Sequence, residues 1–224
     1  MRRINPACRL LSAVCLAALL VGCDQATPKP KRTAVSKPPK ATPVTKQQRA
    51  HKETVASPIV AAARTQIGKT VVYDPAYVKL DYPGGDVPIE RGVCTDVIIR
   101  ALRTSRNLDL QKLVHEDMRT AFSKYPTIWG LKKPDRNIDH RRVPNLRRYF
   151  ERKGYSVAIT RKKEDYLPGD IVTCTVGRNL PHIMIVSDRK ARDGAPLVIH
   201  NIGSGTREED RLFDFRITGH YRIK

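Results

Sequence analysis

The chain has 224 residues, with 42 Lys and Arg against 22 Asp and Glu, for a formal charge of +20 at pH 7. A surplus of this size suits polyanionic surroundings such as lipid headgroups or wall polymers. With no zinc-finger spacing, no RNP-like aromatic motif and only 6% aromatic residues for base stacking, no nucleic-acid partner is expected.

Met1-Arg2-Arg3 and Arg9 form a positive start, and Leu10 to Val21 is an apolar run too short for a membrane span. It closes on Leu20-Val21-Gly22-Cys23, which resembles the bacterial lipoprotein signal, in which the cysteine becomes the lipid-bearing first residue. A plain secretory signal with an incidental Cys23 is the alternative. The expected organisation is a lipoprotein signal peptide over residues 1–22, with lipidation at Cys23, and a disordered basic tether over 23–55. A single domain then fills 56–224. From Asp24 to Lys52 the tether carries eight Lys and Arg against one acid and almost no large apolar residue. It cannot bury enough surface to offset the entropy of ordering, and its charge favours anionic lipid headgroups or wall polymers. Losing Arg2, Arg3 and Arg9 with the leader lowers the charge by three, to +17, so the mature chain stays basic.

Ser57-Pro58 is a helix start, with apolar Ile59, Ala62, Ala63 and Ile67 and a stop at Gly68. Thr70 to Tyr73 is a short strand, and Tyr82-Pro83-Gly84-Gly85-Asp86 is turn chemistry. A helix runs from Cys94 to about Arg106, its buried face marked by Val97, Ile98, Ala101 and Leu102. Further helices are expected over Leu108–Ser123 and Val143–Lys153. Strands follow at Tyr155–Thr160, Ile171–Val176, His182–Ser187 and Pro196–His200, with Asp193-Gly194 as a hairpin turn and Ile217–Ile223 closing the sheet. Helices first and antiparallel strands second make an α+β plan.

Of five cysteines, Cys8 and Cys15 leave with the leader and Cys23 is the lipid site, so Cys94 and Cys174 remain. In an oxidising compartment the bland reading is a Cys94–Cys174 disulfide. The sharper one makes Cys94 a nucleophile. Partial positive charge at a helix N-terminus favours the thiolate, so a lowered pKa is expected. His182 and His200, on adjacent antiparallel strands, can meet as base and orienter, and the Cys94 backbone N–H can serve an oxyanion hole. Asp96 is a candidate for a hydrogen bond to a neighbouring loop, for a substrate amine or for the helix dipole, and Arg141 for a substrate carboxylate or a solvated basic face. His220 is expected to be structural. His51 and His115 offer no metal-ligand spacing, so no metal is expected.

The ordered set of helix-borne Cys94, Pro168-Gly169-Asp170-Ile171-Val172, His182-Ile183-Met184-Ile185-Val186 and Val198-Ile199-His200 resembles the NlpC-type papain-like cell-wall peptidases. Gly92-Val93-Cys94-Thr95-Asp96, Asn137 to Val143 and Gly219-His220-Tyr221-Arg222 resemble the YijF-like proteins, the domain-of-unknown-function family 1287, over roughly Pro58 to Ile223. The resemblance implies a papain-like fold with Cys94, His182 and His200 as a triad, and Tyr82 lining the site. The chain departs from the NlpC pattern in having Thr95-Asp96 where Ser-Gly follows the nucleophile, and in a longer helical insertion before the strands.

The expected function is a lipid-anchored, periplasm-facing cysteine hydrolase acting on amide bonds of peptidoglycan stem peptides, without a cofactor. Its alternatives are acyl transfer or thioester hydrolysis on the same scaffold, or an idle wall-binding module with bridged cysteines. Asp24 resembles the inner-membrane retention signal of enterobacterial lipoproteins. That rule depends on the host, so the sequence leaves inner and outer membrane open.

Overall fold

A computed structural model describes residues 57–224. The signal peptide, Cys23 and the tether lie outside the described residues. The order is α1 (Pro58–Arg64), β1 (Val72–Tyr73), β2 (Arg91–Gly92), α2 (Cys94–Arg106), α3 (Leu110–Ala121) and α4 (Val143–Arg152), followed by β3 (Ile171–Val176), β4 (Leu180–Lys190), β5 (Pro196–Asn201), β6 (Thr206–Glu209) and β7 (Arg216–Tyr221). The α+β plan therefore holds. Among the described residues no helix is long and apolar enough to cross a membrane.

The five later strands form one antiparallel sheet in the order β6-β5-β4-β3-β7. Alternation along the strands divides their apolar residues between two faces. Ile171, Ile183, Ile185 and Ile199 join Val97, Ile98, Ala101 and Leu102 of α2 in one cluster. Val172, Cys174, Met184, Val186 and Val198 join Tyr166 and Leu212 in the other. Each fully buried Ile, Leu or Val contributes about 1.5–3 kcal/mol relative to exposure, so α2 is fixed chiefly by its apolar face.

The Pro168-Gly169-Asp170 turn is anchored as strongly as its position at the head of β3 demands. Gly169 has φ +91, and a Cβ there would run into the Ser57 hydroxyl. The Asp170 carboxylate accepts from the Leu167 N–H at 2.8 Å, from Arg222 at 2.7 Å and from His220 Nε2 at 2.8 Å. Burial raises its pKa, but the Arg222 and His220 bonds outweigh it and the net shift is downward. His220 also stacks on Tyr166 with centroids 4.4 Å apart. Its ring is thus held between Asp170, the Ala158 carbonyl and Tyr166.

One expected element is corrected, and one strand was unforeseen. Tyr155–Thr160 is no strand: Ser156 makes a single bridge to Tyr221, and beyond it the chain turns outward, with Ile159 half exposed. β6 was not expected at all. Its four residues, Thr206 to Glu209, carry no apolar alternation and are held by backbone pairing to β5.

Candidate active site

Cys94 begins α2, and the chain reaches it through β2, which pairs in parallel with β1 so that Tyr73 lies beside Gly92. Val93 is the N-cap residue. With no polar side chain there, the Asp96 carboxylate receives the Val93 N–H at 2.6 Å, the acidic half of a capping box. A Cβ at Gly92 would come within 3.0 Å of that carboxylate. Asn201 steadies the same turn by donating from Nδ2 to the Gly92 carbonyl at 3.0 Å.

The polar side of α2 bolts the surrounding loops in place. Asp96 and Arg141, both almost wholly buried, form a bidentate pair with Nε–Oδ1 and Nη2–Oδ2 each at 3.0 Å. Arg141 also donates to the carbonyls of Ala76 at 3.1 Å and Asp74 at 3.2 Å. The Thr95 hydroxyl donates to the Arg141 carbonyl at 3.1 Å. One turn on, Arg100 bonds Asp86 at 2.8 Å, Thr70 at 3.0 Å and the carbonyls of Val87 and Arg91. The Asp96 carboxylate and the Arg141 guanidinium are therefore committed to each other, which answers to the reading of Asp96 as a partner of a neighbouring loop, while Arg141 lines the pocket beside Cys94.

That pocket has a volume of about 310 Å³ and is lined mainly by Tyr73, Cys94, Trp129, Arg142, Val143 and Pro181. Its walls are largely apolar. The guanidinium of Arg142 lies 4.1 Å from the Trp129 ring centroid and contacts Asp139 at 3.2 Å. The expectation for Tyr82 is also corrected. Its ring sits edge-on to His115 at 5.3 Å, with Arg136 at 5.5 Å, outside this lining. Tyr73 takes the place at the thiol, because the β1–β2 pairing brings it there. Its hydroxyl is pushed up to about 12, first by burial and then by Cys94.

Cys94 and Cys174 are both free and buried, so the bridged alternative is not the form described. Cys174 packs in the second apolar cluster, Cys94 in the first. The lowered pKa expected for Cys94 is overturned as well. Burial pushes the thiol up to about 12, against the backbone N–H groups of Ile183, Thr95 and Cys94, which pull it down. Desolvation of the sulfur outweighs the helix N-terminus.

The structure brings the two predicted histidines together. His182 Nε2 lies 2.8 Å from His200 Nδ1, the rings meeting edge to face. His182 is held down to about 3, first by burial and then by His200. His200 is lowered by burial, with Glu209 opposing that shift. Pro181 lines the thiol pocket and the Ile183 N–H acts on the sulfur, so the segment Pro181–Ile183 is shared by the thiol and the imidazole pair. Glu209 is the residue missed: its Oε2 lies 3.0 Å from His200 Nε2. The signal available was an acidic run, Glu208-Glu209-Asp210, in a strongly basic chain. Among the described residues no three His, Cys, Asp or Glu side chains are grouped to hold a metal ion.

Fold and site together define an α+β domain in which a buried, helix-borne cysteine and a hydrogen-bonded histidine pair both border the segment Pro181–Ile183. The family model described as a domain of unknown function (DUF1287) matches residues 60–223, and the chain belongs to that family. It is 60% identical over 164 residues to a protein of Escherichia coli (strain K12) described as "Uncharacterized protein YijF", covering 73% of this chain and 80% of that protein.

Proposed function

We propose that the domain is a papain-like, NlpC-type cysteine hydrolase, lipid-anchored through Cys23 and facing the periplasm, that cleaves amide bonds of peptidoglycan stem peptides. The observation that carries this reading is the convergence of Cys94 and the His182–His200 pair on the segment Pro181–Ile183. With the thiol raised and His182 lowered, the resting state is a neutral thiol and a neutral imidazole. His182 then acts as a general base, taking the thiol proton as sulfur attacks the carbonyl carbon. The proton passes to the leaving amine, the C–N bond breaks, and a thioester remains on Cys94. Water attacks it with His182 again accepting a proton, which returns to the sulfur as the acid is released. The Cys94 backbone N–H, at the start of α2, faces the developing oxyanion.

Muropeptide release by the wild type and by Cys94→Ala and Cys94→Ser tests the assignment; undiminished release by the variants would sink it. The apolar lining favours a second reading, acyl transfer or thioester hydrolysis on the same residues. Mass spectrometry of the products separates these: a free acid with a released amine marks amide hydrolysis, a free acid with a released thiol marks thioester hydrolysis, and a new ester or amide marks transfer.

A further inference from the structure

The imidazole pair does not end at His200. Its Nε2 meets the Glu209 carboxylate at 3.0 Å, and Glu209 has the Arg211 guanidinium 3.7 Å away. Register explains the meeting. His200 pairs with Arg207 across β5–β6, so Glu209, two residues further along β6, is the diagonal neighbour on the same face. Glu208, on the opposite face, is taken up by Arg64, Ser187 and Arg189. Arg207, directly opposite His200, donates to the Ser204 carbonyl.

We propose that Glu209 is a positioning residue that fixes the tautomer of both imidazoles, leaving Nδ1 of His182 as a bare proton acceptor. An ionised carboxylate only accepts hydrogen bonds, so His200 Nε2 carries the proton. Neutral His200 then has an unprotonated Nδ1, which accepts from His182 Nε2–H. With its one proton on Nε2, His182 presents Nδ1 as a lone pair. The opposite chain of tautomers leaves His182 Nδ1 already protonated and useless as a base. Two hydrogen bonds thus carry the choice made at an accessible glutamate to a deeply buried ring. The catalytic consequence rests on the hydrolase reading, whereas the tautomers do not.

Long-range ¹H–¹⁵N correlation on the full chain, labelled with ¹⁵N at histidine and assigned with H182N and H200N variants, reads the tautomers directly. Both rings are expected to be Nε2–H in the wild type. Glu209→Gln, whose amide carbonyl still accepts, is expected to keep them, and Glu209→Ala to populate Nδ1–H on both. Turnover should fall in Glu209→Ala by up to the roughly 10²- to 10⁴-fold that a general base supplies, and return in Glu209→Gln. A His182 that is Nδ1–H in the wild type, or tautomers unmoved in a folded Glu209→Ala, would overturn the proposal. The wild-type spectrum decides the matter even where Glu209→Ala does not fold. A chain with Nε2–H rings that releases no muropeptide refutes the hydrolase and leaves the relay standing. A hydrolase with an Nδ1–H His182 does the reverse.

Discussion

Arg141→Ala is expected to be among the more damaging substitutions in the domain, although it removes no apolar side chain. The Arg141 and Asp96 side chains are 2% and 3% exposed and share two bonds of 3.0 Å. Truncation leaves the Asp96 carboxylate buried with the Val93 N–H as its remaining partner, and strips a donor from the Ala76 and Asp74 carbonyls. Removing one member of a buried pair costs about 3–5 kcal/mol, because the other charge is left uncompensated. Against a typical domain stability of about 5–15 kcal/mol, that is a large share. Arg141→Lys keeps the charge but not the planar fork, and should recover only part of the loss. Urea unfolding with linear extrapolation measures the difference, and faster iodoacetamide labelling of Cys94 reports loosening of the 74–76 loop. A cost for Arg141→Ala of about 1 kcal/mol or less, the level of an exposed surface pair, would refute the argument.

The rate of Cys94 alkylation in the native protein should keep rising with pH beyond about 8.5, where an ordinary thiol levels off, because burial holds this thiol up to about 12. A plateau near neutrality, followed by mass spectrometry, would contradict that. The Asp117 carboxylate, on which burial acts upward, is drawn down to about 2 by Arg152, Lys153 and Tyr125. Its folded pKa lies below its unfolded one, so its stabilisation is present above about pH 4 and lost as pH falls toward 2. The Tm gap between wild type and Asp117→Asn should therefore close across that window, and a gap independent of pH would count against it. Trp129→Ala, which removes the ring beneath Arg142, should raise KM for muropeptides more than it lowers kcat in steady-state kinetics.

The helix of Cys94, the head of β3 and the pairing of the histidines were legible because each rests on local periodicity or turn chemistry. Val97, Ile98, Ala101 and Leu102 mark one helical face whatever the rest of the chain does. His182 and His200 flank a hairpin whose turn, Asp193-Gly194, is written in the sequence. The failures are long-range. Tyr73 and Tyr82 are equally plausible until the parallel pairing of β1 with β2 chooses the first. A loop contact was among the readings of Asp96, but its partner Arg141 could not be named until the fold brought the two 3.0 Å apart. The Cys94 thiol was judged from its helix position alone, while its pKa is governed chiefly by desolvation. Desolvation is a property of tertiary packing, and no spacing reports it.

On the proposed NlpC-type reading, the two departures from that pattern explain each other. Thr95 and Asp96 stand where Ser-Gly is usual, and the helical insertion is longer than usual. In the structure the Thr95 hydroxyl and the Asp96 carboxylate both bind Arg141, which belongs to the insertion. A glycine after the nucleophile pair has no side chain with which to hold such a segment. The insertion supplies Ile128, Trp129, Ile138, Arg142, Val143 and Pro144 to the pocket wall. The dipeptide that anchors it is therefore tied to the pocket's shape and apolar character, while the Asp96 charge also adds to the upward push on the thiol. On the hydrolase reading, an acyl group that reaches Cys94 must fit walls that the insertion builds, so specificity is expected to follow residues 128–144 more closely than the Cys–His–His set.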